Sequence, residues 1–155
     1  MKITIVAVDL RSPAWAFTAV EDYLTRFPRD WKVELKTVKE EPRHGQSKSD
    51  LMAAEADRIR KAIPKGSLLV TLDERGKDLT TVEFAKKLSA WQDSGEPVAF
   101  VIGGTDGIDP ALKQESRMMI RLSSMTLPHA LARVILSEQI YRAWSILNNH
   151  PYHRA

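Results

Sequence analysis

The chain has no cysteine among its 155 residues. That excludes disulfides, cysteine–zinc sites and thiol catalysis, and it suits a reducing compartment, so a cytoplasmic protein is expected. No apolar run approaches the length needed to cross a membrane. The opening MKITIVAVDL has one lysine, a short apolar run and no small-residue cleavage site before Asp9, so it is expected to form a strand and not a signal peptide. Internal repeats and low-complexity tracts are absent, which excludes solenoids and arrays. Neither sign of charge dominates: 23 Lys and Arg face 20 Asp and Glu, a net charge of +3. Such a balance permits a nucleic-acid partner without demanding one. The four histidines, His44, His129, His150 and His153, do not fall at helical spacing beside carboxylates, so no metal site is expected.

What is present fits one domain over residues 1–155: hydrophobic residues make up 43% of the chain, enough for a real core at this length. Ile3, Ile5, Val6 and Val8 mark a buried strand. Ser12 and Pro13 are expected to cap and start a helix carrying Trp15, Val20, Tyr23, Leu24 and Phe27, with Pro28 ending it. WKVELKTV alternates apolar and polar residues, as an edge strand does. Residues 39–49, KEEPRHGQSKS, contain no apolar residue and read as a long charged loop. A helix follows from about Ser49 to Ala62, with Ser49 or Asp50 as cap. GSLLVTLD reads as a buried strand ended by Asp73, Glu74 and Gly76. The next helix runs from about Thr80 to Asp93, opened by the capping-box pair Thr80 and Glu83. PVAFVIGG is continuously apolar, hence a central parallel strand. A short helix near Pro110, a weaker strand in RMMIRLSS and a last helix from Pro128 to about Leu147 complete the order. This alternation predicts an α/β fold with a mainly parallel sheet.

The last helix carries Leu131, Val134, Ile135, Leu136, Ile140, Tyr141, Trp144 and Leu147 on more than one face. A helix apolar on two faces packs against two things, and here the second is either a partner subunit or more of the same chain.

Three segments carry chemistry. GGTDG, Gly103–Gly107, follows a buried strand, where α/β proteins bind ligands. It is neither GxGxxG nor a P-loop, and it reads equally as a ligand loop or a tight turn. SSMT, Ser123–Thr126, supplies hydroxyls and amides to a polar ligand or to a helix N-cap. The tail places His150 and His153 around Pro151 and Tyr152, against the default of a frayed terminus. Arg133 and Arg142 lie on the last helix with Glu138 as its only acid, and either guanidinium suits a phosphate, a base face or an ion pair. Lys36, Lys39, Arg43 and Lys48 form another basic group, offset by Glu34, Glu40, Glu41 and Asp50.

The combination TLD, VIGGTDG, LSSMTLPHALARVILSEQIYRAW and NHPYHRA, together with MKITIVAV and EDYLTRFP, resembles the bacterial ribosomal RNA large-subunit methyltransferase H family of the SPOUT superfamily along the whole chain. The resemblance implies an α/β-knot fold with a C-terminal trefoil knot, an exception to the usual absence of knots. It places the knot and the S-adenosylmethionine site in about residues 70–155. It implies cofactor contacts from Leu72, Gly103, Leu122, Ser123, Ser124, Met125, Thr126 and Leu127. It also implies a homodimer with each active site completed across the interface, and methylation of N3 of a pseudouridine in 23S rRNA on the assembled ribosome. The TDG of the turn departs from relatives that carry other residues before the final glycine. Neither a metal nor a membrane enters this reading.

An imide N–H needs a base, or stabilisation of the oxyanion that forms on its flanking carbonyls. An imidazole such as His153 suits the first task, Arg142 or Arg154 the second, and Tyr152 could stack on or bond to the base. Two other classes compete: a non-catalytic RNA- or ribosome-binding module of the same fold, and a knot-free nucleotide-binding enzyme of other chemistry.

Overall fold

The computed structural model describes residues 1–153. Five parallel strands form one sheet: β1 (Lys2–Asp9), β2 (Lys32–Lys39), β3 (Leu68–Asp78), β4 (Val98–Ile102) and β5 (Met118–Arg121), in the order β2-β1-β4-β3-β5. The fully apolar β4 is central, with all five of its residues buried. The alternating β2 is an edge, with no residue fully buried. Burial on both faces is what favours an uninterrupted apolar run, and the edge position is what permits polar alternation.

Helices cover both faces. Ile59 of α2 (Lys48–Ala62) and Leu112 of α4 (Pro110–Glu115) pack with Val6, Val8, Ala99 and Val101. On the opposite face, Phe84 and Leu88 of α3 (Thr81–Ser94) and Leu136 and Ile140 of α5 (His129–Leu147) close over Ile3, Ile5, Val70 and Phe100. Side chains of β1 alternate between the two cores, as a period of two requires. The last helix, α5, packs against both α1 (Ala14–Leu24) and α3. Part of its second apolar face is therefore covered by its own chain, although Leu131 stays exposed.

Local chemistry moves some boundaries. Pro13, not Ser12, is the N-cap of α1; its carbonyl accepts from Ala16 N–H at 3.0 Å, while the Ser12 hydroxyl makes no cap. α1 ends at Leu24, before Pro28, so Phe27 lies beyond the helix and stacks on Trp31. The cap of α2 is Ser47, whose hydroxyl accepts from Asp50 N–H at 3.1 Å. The Thr80–Glu83 capping box forms in both directions.

The largest difference is in β3, which does not stop at Asp73. Leu72 and Lys77 both lie opposite Ile120 of β5, so residues 73–76 bulge out between them. Gly76 makes the close return possible: a Cβ there would lie 2.5–2.7 Å from the backbone of Ile120. Gly76→Ala is expected to destabilise the fold by about 1–3 kcal/mol, because backbone cannot yield as a side chain does. Urea unfolding checks this, and an unchanged midpoint would contradict the close approach.

Candidate functional site

A cavity of about 990 Å³ opens where the carboxyl ends of the parallel strands meet, a size suited to a cofactor. Its walls come from the β3 bulge (Leu72–Arg75), the glycine turn after β4 (Gly103–Ile108) and the segment after β5 (Leu122–Leu127). Leu72, Gly103, Leu122, Ser123, Ser124, Met125, Thr126 and Leu127 all line it, so the structure gathers every residue expected to touch cofactor.

The Ser/Thr segment is not a helix cap. The N-cap of α5 is Pro128, which has no side-chain cap, and the Ser123 hydroxyl instead accepts from Met125 N–H at 3.0 Å. Ser124, Met125 and Thr126 stay exposed at the rim. The Met125 N–H is taken by Ser123, so the Ser124 and Thr126 hydroxyls are the polar side chains of this segment left to a ligand.

The glycine turn is tight: Gly107 N–H donates to Gly104 O at 3.1 Å, and it is Gly107, at φ +89°, that needs the left-handed region. Gly103 and Gly104 serve a different purpose, which is space. A Cβ on Gly103 would lie 2.7 Å from Ile108 Cγ1 and 2.8 Å from the Gly107 carbonyl carbon. Behind Gly104 sits the buried carboxylate of Glu55. Burial pushes that carboxyl above its ordinary range, against the N–H of Glu41 that donates to it at 3.1 Å.

The long charged loop is fastened to the same turn. Arg43 donates to Asp106 at 2.6 Å, the Thr105 hydroxyl donates to Glu40 at 3.1 Å, and Arg58 of α2 pairs with Glu41. Arg43 is thereby committed to holding the cavity wall.

The cavity carries charges that sequence spacing did not single out. Asp73, in the bulge, pairs with Lys113 of α4 and accepts from Arg75 N–H at 2.8 Å. Burial alone would push the Asp73 carboxyl up, but these donors outweigh it and hold it below the usual carboxylate range. Arg133 is buried, does not line the cavity and donates to Val8 O at 2.9 Å, which removes it as a phosphate or base contact.

His129 borders the cavity, and both of its ring nitrogens are buried without a hydrogen-bond partner among the described residues. Burial, reinforced by the charge of Arg133, lowers its pKa to about 4. The folded chain therefore binds fewer protons here than the unfolded chain between about pH 4 and the ordinary imidazole value near 6.5. The stability from this site is complete above that window and declines as pH falls through it. His129→Leu is expected to show a shallower loss of unfolding free energy between pH 7.5 and pH 5 than the wild type. Equal slopes would show that the buried imidazole carries no such linkage.

Arg142, Tyr152 and His153 are brought together elsewhere, and none of them lines the cavity. Arg154 lies outside the described residues. Glu138 is the hub of this second cluster: its Oε1 accepts from Arg142 Nε at 2.8 Å and from the Tyr152 hydroxyl at 3.1 Å. The Arg142 guanidinium lies 5.0 Å from the centre of the Tyr152 ring, a cation–π contact. Burial, with Tyr23 and Glu138 adjacent, pushes the Tyr152 phenol up, so it is a donor at neutral pH. His153 is fixed by Ser145 of α5, at 2.7 Å from Nδ1. Thus the tail to His153 packs on α5 and is not frayed.

Ala132, at the cavity, and Arg142 are ten residues apart on α5, which corresponds to about 15 Å along the axis. A methyl donor and its acceptor must approach to about 3–3.5 Å. Within one chain the cavity and the tail cluster are therefore apart.

Among the described residues no His, Asp or Glu group could hold a metal, and no helix is long and apolar enough to cross a membrane.

A family model described as "Predicted SPOUT methyltransferase" matches residues 1–153. Curated relatives match over essentially their full length. The protein of Albidiferax ferrireducens is 58% identical over 154 residues, covering 99% of both chains. That of Paracidovorax citrulli is 57% identical with the same coverage, and that of Burkholderia thailandensis is 53% identical over 156 aligned positions, covering all of both. Each of the three is named ribosomal RNA large subunit methyltransferase H.

Proposed function

The chain belongs to the SPOUT methyltransferase family and is a ribosomal RNA methyltransferase, and from that premise we propose that it transfers the methyl of S-adenosylmethionine to N3 of a pseudouridine in 23S rRNA of the assembled, cytoplasmic ribosome. The observation that carries this reading is the convergence of Leu72, Gly103 and Leu122–Leu127 on one cavity at the carboxyl ends of the strands. The leucines offer apolar walls for adenine and the turns offer amides and carbonyls to its edge. We read the three segments as parts of one domain and, from the family, as the site of its trefoil knot; the chain leaves the edge strand β5, lines the cavity and returns as α5 against α1.

S-adenosylmethionine supplies an electrophilic methyl sulfonium. The protein supplies proximity, in-line approach and an acceptor nitrogen made nucleophilic. Arg142, Tyr152 and His153, oriented by Glu138 and Ser145, are the groups suited to the acceptor base. They lie too far along α5 to meet their own cavity, so they serve the cavity of a second subunit in a homodimer. Trp15 and Phe17 of α1 and Leu131 of α5 are large apolar side chains left exposed, which supports burial against a second copy.

Recognition of the target draws on the enzyme's own surface and on the ribosome's shape. Incubation with labelled S-adenosylmethionine is expected to label assembled ribosomes, whereas free large subunits stay near background. Equal labelling of both would refute the requirement for assembly.

A further inference from the structure

Ser145 lies on the buried side of α5, with none of its surface exposed. Its hydroxyl oxygen accepts from the backbone N–H of His153 at 3.1 Å and lies 2.7 Å from the Nδ1 of the same residue. A hydroxyl has one proton to give and two lone pairs. A buried hydroxyl proton needs an acceptor, and among the described residues the only acceptor bonded to this one is Nδ1. By contrast, Ser137, two turns earlier, gives its proton to the carbonyl of Arg133 at 2.8 Å, and Ser145 makes no such bond within its helix. Nδ1 is therefore the acceptor. In a neutral imidazole one nitrogen accepts and the other carries the proton, so the proton sits on Nε2. No described residue accepts from Nε2.

We propose that Ser145 is a positioning residue that holds His153 in the Nε2–H tautomer, so that its imidazole enters the reaction as a hydrogen-bond donor to a pyrimidine carbonyl and not as the base that takes the imide proton. The inference rests on the methyl-transfer reading above and assigns the chemistry of its tail. The steps balance as follows. The N3 proton leaves to water, and the resulting negative charge spreads over N3 and its two flanking carbonyl oxygens. Nε2–H donates to one of those oxygens, with Arg142 available for the charge. N3 then attacks the sulfonium methyl: the N–CH₃ bond forms, the S–CH₃ bond breaks and its electron pair stays on sulfur as a neutral thioether. Donors aimed at a developing oxyanion act most strongly where water is excluded. In this proposal His153 takes the donor's part in place of the base's part expected from its imidazole chemistry.

The test uses the full-length protein labelled with ¹⁵N-histidine, at alkaline pH where imidazoles are neutral, with the His153 signal assigned by His153→Gln. A protonated, pyrrole-type Nε2 and an unprotonated, pyridine-type Nδ1 are expected in the wild type. Ser145→Ala is expected to give a mixture of tautomers and to lower kcat by at least about tenfold while KM for S-adenosylmethionine is unchanged. Ser145→Thr, which keeps the hydroxyl, is expected to restore the Nε2–H signature. A proton on Nδ1 of the wild type would overturn the proposal even without a variant, as would an unchanged tautomer in a folded Ser145→Ala. Should the wild type show Nε2–H yet transfer no methyl to ribosomes, the tautomer assignment would stand and the reaction reading would fall.

Discussion

Gly103→Val is expected to lower affinity for S-adenosylmethionine by at least about a hundredfold, or about 2.7 kcal/mol of binding free energy. The cause is local. A Cβ at Gly103 would already meet Ile108 Cγ1 at 2.7 Å and the backbone of Gly107 at 2.8 Å. Ile108 is buried in the core beneath α4 and cannot swing aside. The turn must open to admit valine, and opening it pulls on Arg43 and Glu40, which hold Asp106 and Thr105. Core overpacking of this kind costs about 1–3 kcal/mol of stability, so titration calorimetry is paired with a thermal-melting control. Gly103→Ala is expected to fall between valine and the wild type. Unimpaired affinity in a folded Gly103→Val protein would remove this residue from the cofactor wall.

Mixing two inactive variants is expected to restore activity. Gly103→Val spoils the cavity and leaves the tail intact; Arg142→Ala spoils the tail cluster and leaves the cavity intact. If each site combines one subunit's cavity with its partner's tail, the mixed dimer has one site in which both parts are sound. Random pairing makes half the dimers mixed, each with one working site of two, so about one quarter of wild-type activity is expected. If each chain used its own tail, neither site of the mixed dimer would work and activity would stay at the level of the single variants. The separation of Ala132 and Arg142 along α5 underlies this result.

Much of the fold was legible because period and capping are local properties. The unbroken apolar run of β4 signalled a strand buried on both faces, and the Thr80–Glu83 pair fixed the start of α3. The bulge of β3 was not legible. Asp73, Glu74 and Gly76 look like a strand end because charge and glycine normally end one. Here the strand leaves the sheet, lines a cavity and rejoins opposite the same Ile120. The residues that line the cavity were legible through family motifs, whereas their supports were not. Glu55 reaches Gly104 and Lys113 reaches Asp73 across long stretches of sequence, and no spacing rule links them. Arg133 read as a candidate for a phosphate, a base face or an ion pair, yet its guanidinium is taken up by the carbonyl of Val8 from a strand at the other end of the chain. Glu138 was visible only as the one acid on its helix. Its role as hub for Arg142 and Tyr152 needed the tail to fold back.

The most direct measurement of the central claim is the identity of the methylated nucleoside. Ribosomes from a strain deleted for its own copy of the enzyme would be incubated with this protein and tritiated S-adenosylmethionine, and the 23S rRNA digested for mass spectrometry. The account predicts one new product, N3-methylpseudouridine. Methyl on any other nucleoside, or no incorporation by a protein that binds the cofactor, would contradict it.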